Sequence, residues 1–68
     1  MNNKKDIEKI KEVLLNGGII RNCYRYYKYK NGQIYYVDYD IAKSWEKYGT
    51  DNSIEHIGKY GVWDIINR

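Results

Sequence analysis

Residues 19–39 decide the fold of this chain, and they read IIRNCYRYYKYKNGQIYYVDY. Two segments rich in β-branched and aromatic residues, 19–30 and 33–39, flank the dipeptide Asn31-Gly32. An Asn-Gly pair between two such segments is the strongest short-range signal for a two-residue type I′ turn. The sequence therefore predicts a β-hairpin whose two strands meet at this turn.

The turn also predicts the register of the hairpin. The directly opposed pairs are Tyr24 with Tyr39, Arg25 with Asp38, Tyr26 with Val37, Tyr27 with Tyr36, and Tyr29 with Ile34. Because side chains alternate along a strand, the hairpin has two faces. One face holds Ile20, Tyr24, Tyr26, Tyr35, Val37 and Tyr39. The other holds Arg21, Cys23, Arg25, Tyr27, Tyr29, Ile34, Tyr36, Asp38 and Asp40. We expect the first face to pack against a helix, because it carries no charge before Lys28 near the turn.

An amphipathic helix is predicted over residues 4–15, before the hairpin. Its apolar stripe consists of Ile7, Ile10, Val13 and Leu14, at the spacing of one helical face. Asn2 or Asn3 can cap its start, and Gly17 and Gly18 can end it because glycine adopts the left-handed conformation without a steric clash. A helix of this length is marginal alone in water, so its stripe must pack on the hairpin.

The pattern changes after the hairpin. Apolar residues Ile41, Trp45 and Tyr48 predict one short helix or turn that ends at Gly49. We expect a loop over residues 50–53, a second short helix over 54–60, and a final strand over 62–66 beside the hairpin. The predicted fold class is therefore α+β: an N-terminal helix, a hairpin, one or two short helices, and a C-terminal strand that completes a small, three-stranded antiparallel sheet. No internal boundary is indicated, so residues 1–68 are expected to form a single domain.

Composition limits how such a chain can be stabilised. It has 68 residues, with 12 basic and 9 acidic side chains, a net charge of +3, one cysteine and one histidine. These numbers exclude an internal disulfide and a tetrahedral zinc site built from cysteine and histidine. A domain of this size buries only about 60% of its unfolded surface, so we expect a homo-oligomer. The apolar segments are too short to cross a membrane, and a cytoplasmic location is expected.

Catalytic chemistry is not indicated. Cys23 and His56 are the only cysteine-based nucleophile and base available, but Cys23 falls inside a predicted strand, where a cysteine is usually a small apolar filler. His56 lies inside a predicted short helix, as a surface or half-buried residue. The Gly17-Gly18 pair follows a helix rather than preceding one, which is the wrong end for a phosphate-binding loop. We expect a protein that is not an enzyme and that needs no cofactor or metal.

The hairpin segment carries the candidate binding chemistry. Between residues 21 and 39, two arginines and two lysines are interleaved with seven tyrosines. Guanidinium groups bind phosphate in bidentate fashion, and aromatic rings stack on bases, so this combination is typical of nucleotide or nucleic-acid binding. A structural interpretation stands beside it: without phenylalanine, tyrosine must fill the core, and Arg25 with Asp38 can be a cross-strand ion pair. The modest net charge favours a small anionic ligand over a long polymer and disfavours a DNA mimic.

The two ends of the chain resemble a known family. Residues 10–18 are followed by Ile19, Ile20 and Arg21, with Tyr24 where that family has tryptophan. The closing segment runs from Ser53 through Gly61 into Val62-Trp63-Asp64-Ile65-Ile66. Over about half of its length the chain thus resembles the compact phage proteins of the Thoeris anti-defence type.

That resemblance implies a homo-oligomeric sponge, which sequesters a cyclic nucleotide-derived immune signal at subunit interfaces without cleaving it. By position it points to Arg21, Tyr24, Trp63 and Asp64. Together with the hairpin chemistry, the hypothetical ligand-binding residues are Arg21, Tyr24, Arg25, Tyr27, Tyr36, Trp45, Trp63 and Asp64. The expected partners are a second copy of the chain and a small anionic nucleotide, in the host cytoplasm if the protein is phage-encoded. Two alternatives stay open: a protein–protein inhibitor of a bacterial defence complex, and a single-strand nucleic-acid binder.

Overall fold

The computed structural model describes residues 4–59 and 63–67. The elements are α1 (Lys4–Leu15), β1 (Ile19–Asn22), β2 (Arg25–Lys30), β3 (Gln33–Asp38), β4 (Glu46–Thr50), α2 (Ser53–Gly58) and β5 (Trp63–Asn67). The strands form one antiparallel sheet in the order β4-β3-β2-β1-β5. The predicted α+β class is confirmed, although the sheet has five strands rather than three.

Helix α1 spans the predicted residues and ends as predicted. Gly17 has a φ of 85°. The Gly18 N–H donates to the Val13 carbonyl at 2.8 Å, and the Gly17 N–H donates to the Leu14 carbonyl at 3.1 Å. These two bonds define a Schellman motif, which requires the left-handed conformation at its central residue. The predicted caps Asn2 and Asn3 lie outside the described residues.

Gly17 provides a direct test of this helix end. A Cβ at this position would meet no atom within 4 Å, so Gly17→Ala introduces only the backbone cost of a positive φ. We expect a loss of about 1–2 kcal/mol in the free energy of unfolding, measured by urea denaturation. A chain synthesised with D-alanine at position 17 is the control, because D-alanine favours positive φ and should restore stability. Equal stability of the L-alanine variant and the wild type would contradict the helix end described here.

The turn between β2 and β3 confirms the predicted hairpin. Asn31 has a φ of 53° and Gly32 a φ of 79°, and a type I′ turn requires positive values at both positions. The predicted register is also present. Opposed pairs in the two strands include Arg25 with Asp38, Tyr26 with Val37, Tyr27 with Tyr36, and Tyr29 with Ile34.

The first predicted strand of the hairpin is wrong, because it is two strands. Cys23 and Tyr24 form a two-residue turn, and the chain reverses there, so that Ile20 pairs with Tyr27 and Arg21 pairs with Tyr26. Cys23 has a φ of 56°, a conformation usually left to glycine or asparagine. The predicted role of Cys23 as a buried filler is therefore also wrong, because this residue is exposed in the turn.

This extra reversal changes which face meets the helices. Directly opposed residues share a face, so pairing with Tyr27 brings Ile20 to the helix side and leaves Arg21 on the other. The predicted helix-facing set of Tyr24, Tyr26, Tyr35, Val37 and Tyr39 is therefore wrong. The core instead contains Ile10, Val13, Leu14, Ile20, Tyr27, Ile34, Ile54 and Ile57. The reversal is favourable because it buries Ile20, Tyr27 and Ile34 together under α1 and α2.

The second half of the chain differs from prediction in one element. The short helix or turn expected around Ile41 to Tyr48 is a turn only. It is held by bonds from the Ala42 N–H to the Asp40 carboxylate at 2.9 Å and from the Lys43 N–H to the Asp40 carbonyl at 3.1 Å. Strand β4 then follows, because its residues supply backbone partners for β3, and Gly49 pairs with Ile34 inside it.

The closing helix and strand are present. Helix α2 begins at Ser53 and ends at Gly58, and β5 pairs with β1 at the edge of the sheet. The predicted ends of these elements at residues 60–62 lie outside the described residues. Within the described ranges, neither helix is long and apolar enough to cross a membrane.

Candidate functional site

The structure separates the predicted ligand-binding residues into three places. Arg25, Tyr27, Tyr36 and Trp63 lie on the helix side of the sheet. Arg21, Asp64 and Trp45 lie on the opposite side, and Tyr24 lies in the turn between β1 and β2. They therefore cannot all contact one ligand on a single chain.

The helix-side cluster consists of Arg25, Tyr27, Tyr36, Tyr48 and Trp63. The Tyr27 ring centroid is 5.6 Å from those of Tyr48 and Trp63, and the centroids of Tyr36 and Tyr48 are 6.0 Å apart. The Arg25 guanidinium lies over the Tyr36 ring at 4.6 Å. Tyr27 is buried, and this burial raises the pKa of its hydroxyl. Close ring contacts of this kind pack an aromatic core and leave little ring surface for a ligand.

Carboxylates already accept hydrogen bonds from the polar groups of this cluster. The Arg25 Nε donates to Asp38 at 2.9 Å, and this hydrogen bond raises the pKa of Arg25. The Tyr36 hydroxyl donates to Glu46 at 2.7 Å, which raises the pKa of Tyr36. One arginine therefore faces two carboxylates, and the local charge opposes an anionic ligand. The depression beside Tyr36, Asp38 and Glu46 has a volume of only about 170 Å³, below the usual range of ligand pockets.

The other side of the sheet has different chemistry. We call it the open face, because α1 and α2 pack on the opposite side of the sheet. By the strand register this face holds Ile19, Arg21, Tyr26, Lys28, Lys30, Gln33, Tyr35, Val37, Lys47 and Asp64, with the Trp45 ring beside Lys28. Val37 is the buried member of this set. Four basic side chains thus share this face with one carboxylate.

Among the described residues, Arg21 is the one cation of the open face that forms an ion pair. Arg21 donates to Asp64 at 2.6 Å, and this hydrogen bond, with a smaller effect of the Tyr26 hydroxyl, raises the pKa of Arg21. The Lys28 Nζ lies 4.4 Å from the Trp45 ring centroid, a cation–π contact. Between residues 4–59 and 63–67, no carboxylate forms an ion pair with Lys28, Lys30 or Lys47. The open face therefore presents positive charge to solvent.

Two tyrosines stand among these cations. Tyr26 and Tyr35 are half-buried, and the Tyr35 hydroxyl donates to the Gln33 side chain at 3.1 Å. Tyr35 is flanked on its two neighbouring strands by Lys28 and Lys47. Aromatic rings beside lysine ammonium groups can stack on bases and bind phosphate at the same time.

Tyr24 belongs to a third group. Its ring stacks on Tyr39, with centroids 4.7 Å apart and an interplanar angle of 16°. The predicted proximity of these two residues is thus present, although outside the strand ladder. Tyr39 has a φ of 66° and is 71% exposed. Both rings therefore form a stacked, solvent-facing pair at one end of the sheet.

Cys23 and His56 both lie in the described part of the chain, residues 4–59 and 63–67. His56 is exposed on α2, as predicted, and Cys23 is exposed in a turn. No group of three or more histidine, cysteine, aspartate or glutamate side chains in these ranges could hold a metal ion.

Sequence reasoning missed Tyr26, Lys28, Tyr35 and Lys47 as site residues. Recognising the turn at Cys23-Tyr24 would have placed Arg21 and Tyr26 on one face, since a second reversal changes the pairing of every residue before it. The available signal was weak, because neither residue is a usual turn former.

Comparison with known proteins gives no match: no family model, no curated protein and no solved structure is significantly similar to this chain.

Proposed function

We propose that this chain is a non-enzymatic binding protein that sequesters a nucleotide-derived immune signal on its open face, in the manner of a phage anti-defence protein acting in the host cytoplasm. The observation that carries the proposal is the charge of that face, on which four basic side chains face one carboxylate. Phosphate is the common anionic group that Arg and Lys side chains bind through charge-assisted hydrogen bonds.

The helix-side cluster is a poorer place for an anionic ligand than the open face. Arg25 is held by Asp38 and Tyr36, and Glu46 adds a second carboxylate. A phosphate there would have to displace a hydrogen-bonded carboxylate. At Lys28, which contacts the Trp45 ring, and at Lys47, a phosphate would displace no carboxylate of the described residues, which costs less. Among the predicted ligand residues, Arg21 and Trp45 therefore remain candidates, and Lys28 and Lys47 are added.

A second copy of the chain would enclose the ligand. The open face is a surface rather than a cleft, and buried small-ligand sites are usually concave. Two such faces carry the same charge, so they repel each other while empty. A ligand with phosphate groups removes that repulsion. We therefore propose that the ligand joins two copies across their open faces.

Calorimetric titration tests this function. The purified protein is titrated with cyclic dinucleotides and cyclic ADP-ribose isomers, and its mass is followed by light scattering with and without ligand. We expect micromolar or tighter binding of at least one compound, recovery of that compound intact, and a ligand-dependent doubling of mass. Lys28→Gln should weaken binding, whereas Lys11→Gln, which removes the same charge from the exposed side of α1, should not. Absence of heat with every cyclic compound and with linear mono- and dinucleotides as well, or cleavage of the bound compound, would overturn the proposal.

The exposed Tyr24 and Tyr39 stack favours a second candidate function, inhibition of a bacterial defence complex by direct protein contact. Tyrosine is a preferred hot-spot residue of protein interfaces, and residues with positive φ such as Cys23 and Tyr39 cluster at functional sites. Stoichiometric capture of one defence protein from a bacterial lysate, lost in Tyr39→Ala but kept in Lys28→Gln, would favour this function over sequestration.

A further inference from the structure

The two tyrosines of the open face have a defined spacing. Tyr26 is directly opposite Val37, and Lys28 is directly opposite Tyr35. Tyr26 and Tyr35 are therefore diagonal neighbours on adjacent strands. The Cα atoms of such neighbours are about 7–8 Å apart. This spacing is about twice the 3.4 Å that separates stacked bases in a duplex strand. Two bases seated on these rings would be unstacked from each other, as in single-stranded recognition.

The same four residues also define where phosphate can lie. Tyr26 and Tyr35 occupy one diagonal of a rectangle, and Lys28 and Val37 occupy the other. A phosphate that links the two bases on one side meets the Lys28 ammonium group. On the other side lies Val37, which is apolar and only 5% exposed, so a second phosphate link would find neither a cation nor an open surface there. The rectangle thus matches one phosphodiester rather than two.

We infer that the open face binds a linear dinucleotide, with one base on Tyr26, the next on Tyr35, and the phosphodiester between them on Lys28. This inference rests on the proposed function and specifies its ligand class. Lys47 lies beside Tyr35 on β4 and can bind a terminal phosphate. At the other end, Asp64 lies beyond Arg21 at the sheet edge. A longer strand continuing in that direction would meet Arg21, whose charge Asp64 already balances, so this end offers no unpaired cation and the face favours a dinucleotide over a polymer.

The experiment compares four adenine probes by calorimetry at two salt concentrations: AMP, linear pApA, cyclic di-AMP, and the RNA octamer of adenylate. Stacking of a second base is expected to make pApA bind at least tenfold tighter than AMP. Cyclic di-AMP should bind more weakly than pApA. The octamer should bind no more than a few-fold tighter than pApA. That small gain is expected because one strand offers several overlapping dinucleotide positions.

Matched variants assign the contacts. Tyr26→Leu and Tyr35→Leu should each reduce pApA affinity to near that of AMP, whereas Tyr26→Phe, which keeps the ring, should retain it. Tyr48→Leu removes a tyrosine from the helix side and should leave pApA binding unchanged. Circular dichroism verifies that each variant is folded. If a leucine variant is unfolded, the other leucine variant and Tyr26→Phe still test the contacts.

The outcomes separate the two proposals. Equal affinity of AMP and pApA, or tighter binding of cyclic di-AMP, would overturn the linear dinucleotide and leave sequestration standing. Much tighter, steeply salt-dependent binding of the octamer would indicate a single-strand nucleic-acid binder and would likewise overturn it. If none of these four probes binds, and none of the cyclic dinucleotides or cyclic ADP-ribose isomers binds, the proposed function fails as well.

Discussion

Reversing the charge of Lys28 and Lys47 together is expected to abolish nucleotide binding. The open face would change from four cations against one carboxylate to two cations against three. Each charge-assisted hydrogen bond contributes about 1.5–3 kcal/mol. Loss of two should weaken binding by about 10²–10⁴-fold, before any repulsion is counted. Calorimetry with the tightest ligand measures this effect in the variant Lys28→Glu/Lys47→Glu.

The control for this charge reversal is Lys9→Glu/Lys11→Glu. It makes the same change in net charge on exposed residues of α1, which packs on the opposite side of the sheet. If the ligand binds the open face, this variant should bind within a few-fold of the wild type. An equal loss of affinity in both variants would mean that the ligand responds to overall charge and has no site on the open face.

Ile34→Ala is expected to unfold a large fraction of the protein. Ile34 is fully buried in the core, on the interior strand β3 between β2 and β4. Truncating such a side chain costs about 2–5 kcal/mol, and a chain of this length has a total stability of about 3–10 kcal/mol. Thermal denaturation followed by circular dichroism should therefore show a transition lowered by tens of degrees or an absent one.

Ile41→Ala serves as the matched control, because it makes the same truncation at a residue that is 45% exposed. Its effect should stay below about 1 kcal/mol. If Ile34→Ala and Ile41→Ala lowered stability equally, the two-helix packing on one side of the sheet would be incorrect. In that case the open face would not be the side of the sheet that faces solvent.

The elements that depend on residues close together in the chain could be predicted from the sequence. The Asn31-Gly32 turn depends on two residues that tolerate positive φ, and the register of β2 and β3 follows from it by geometry alone. Helix α1 depends on a 3.6-residue apolar repeat and a glycine stop. Both depend on contacts close in sequence, and both are present as expected.

The faces of the sheet could not be predicted in the same way. The turn at Cys23-Tyr24 depends on burying Ile20 beside Tyr27, a tertiary contact that no local propensity reports. The same holds for β4, whose exposed and charged residues are ordered by pairing with β3. Side chains alternate between the two faces along a strand. Without the reversal at Cys23-Tyr24, Arg21 and Arg25 are predicted on the same face, whereas in the structure they lie on opposite faces. The predicted site was split between two faces for this reason.

Binding on the open face is tested most directly by the two indole N–H signals of the ¹⁵N-labelled protein. Trp45 lies beside Lys28, and its indole N–H donates to the Ile41 carbonyl, whereas Trp63 packs on Tyr27 on the helix side. On titration with the tightest nucleotide, the Trp45 signal should shift and the Trp63 signal should stay in place, with Trp45→Phe and Trp63→Phe used for assignment. A shift of Trp63 with an unchanged Trp45 would contradict binding on the open face.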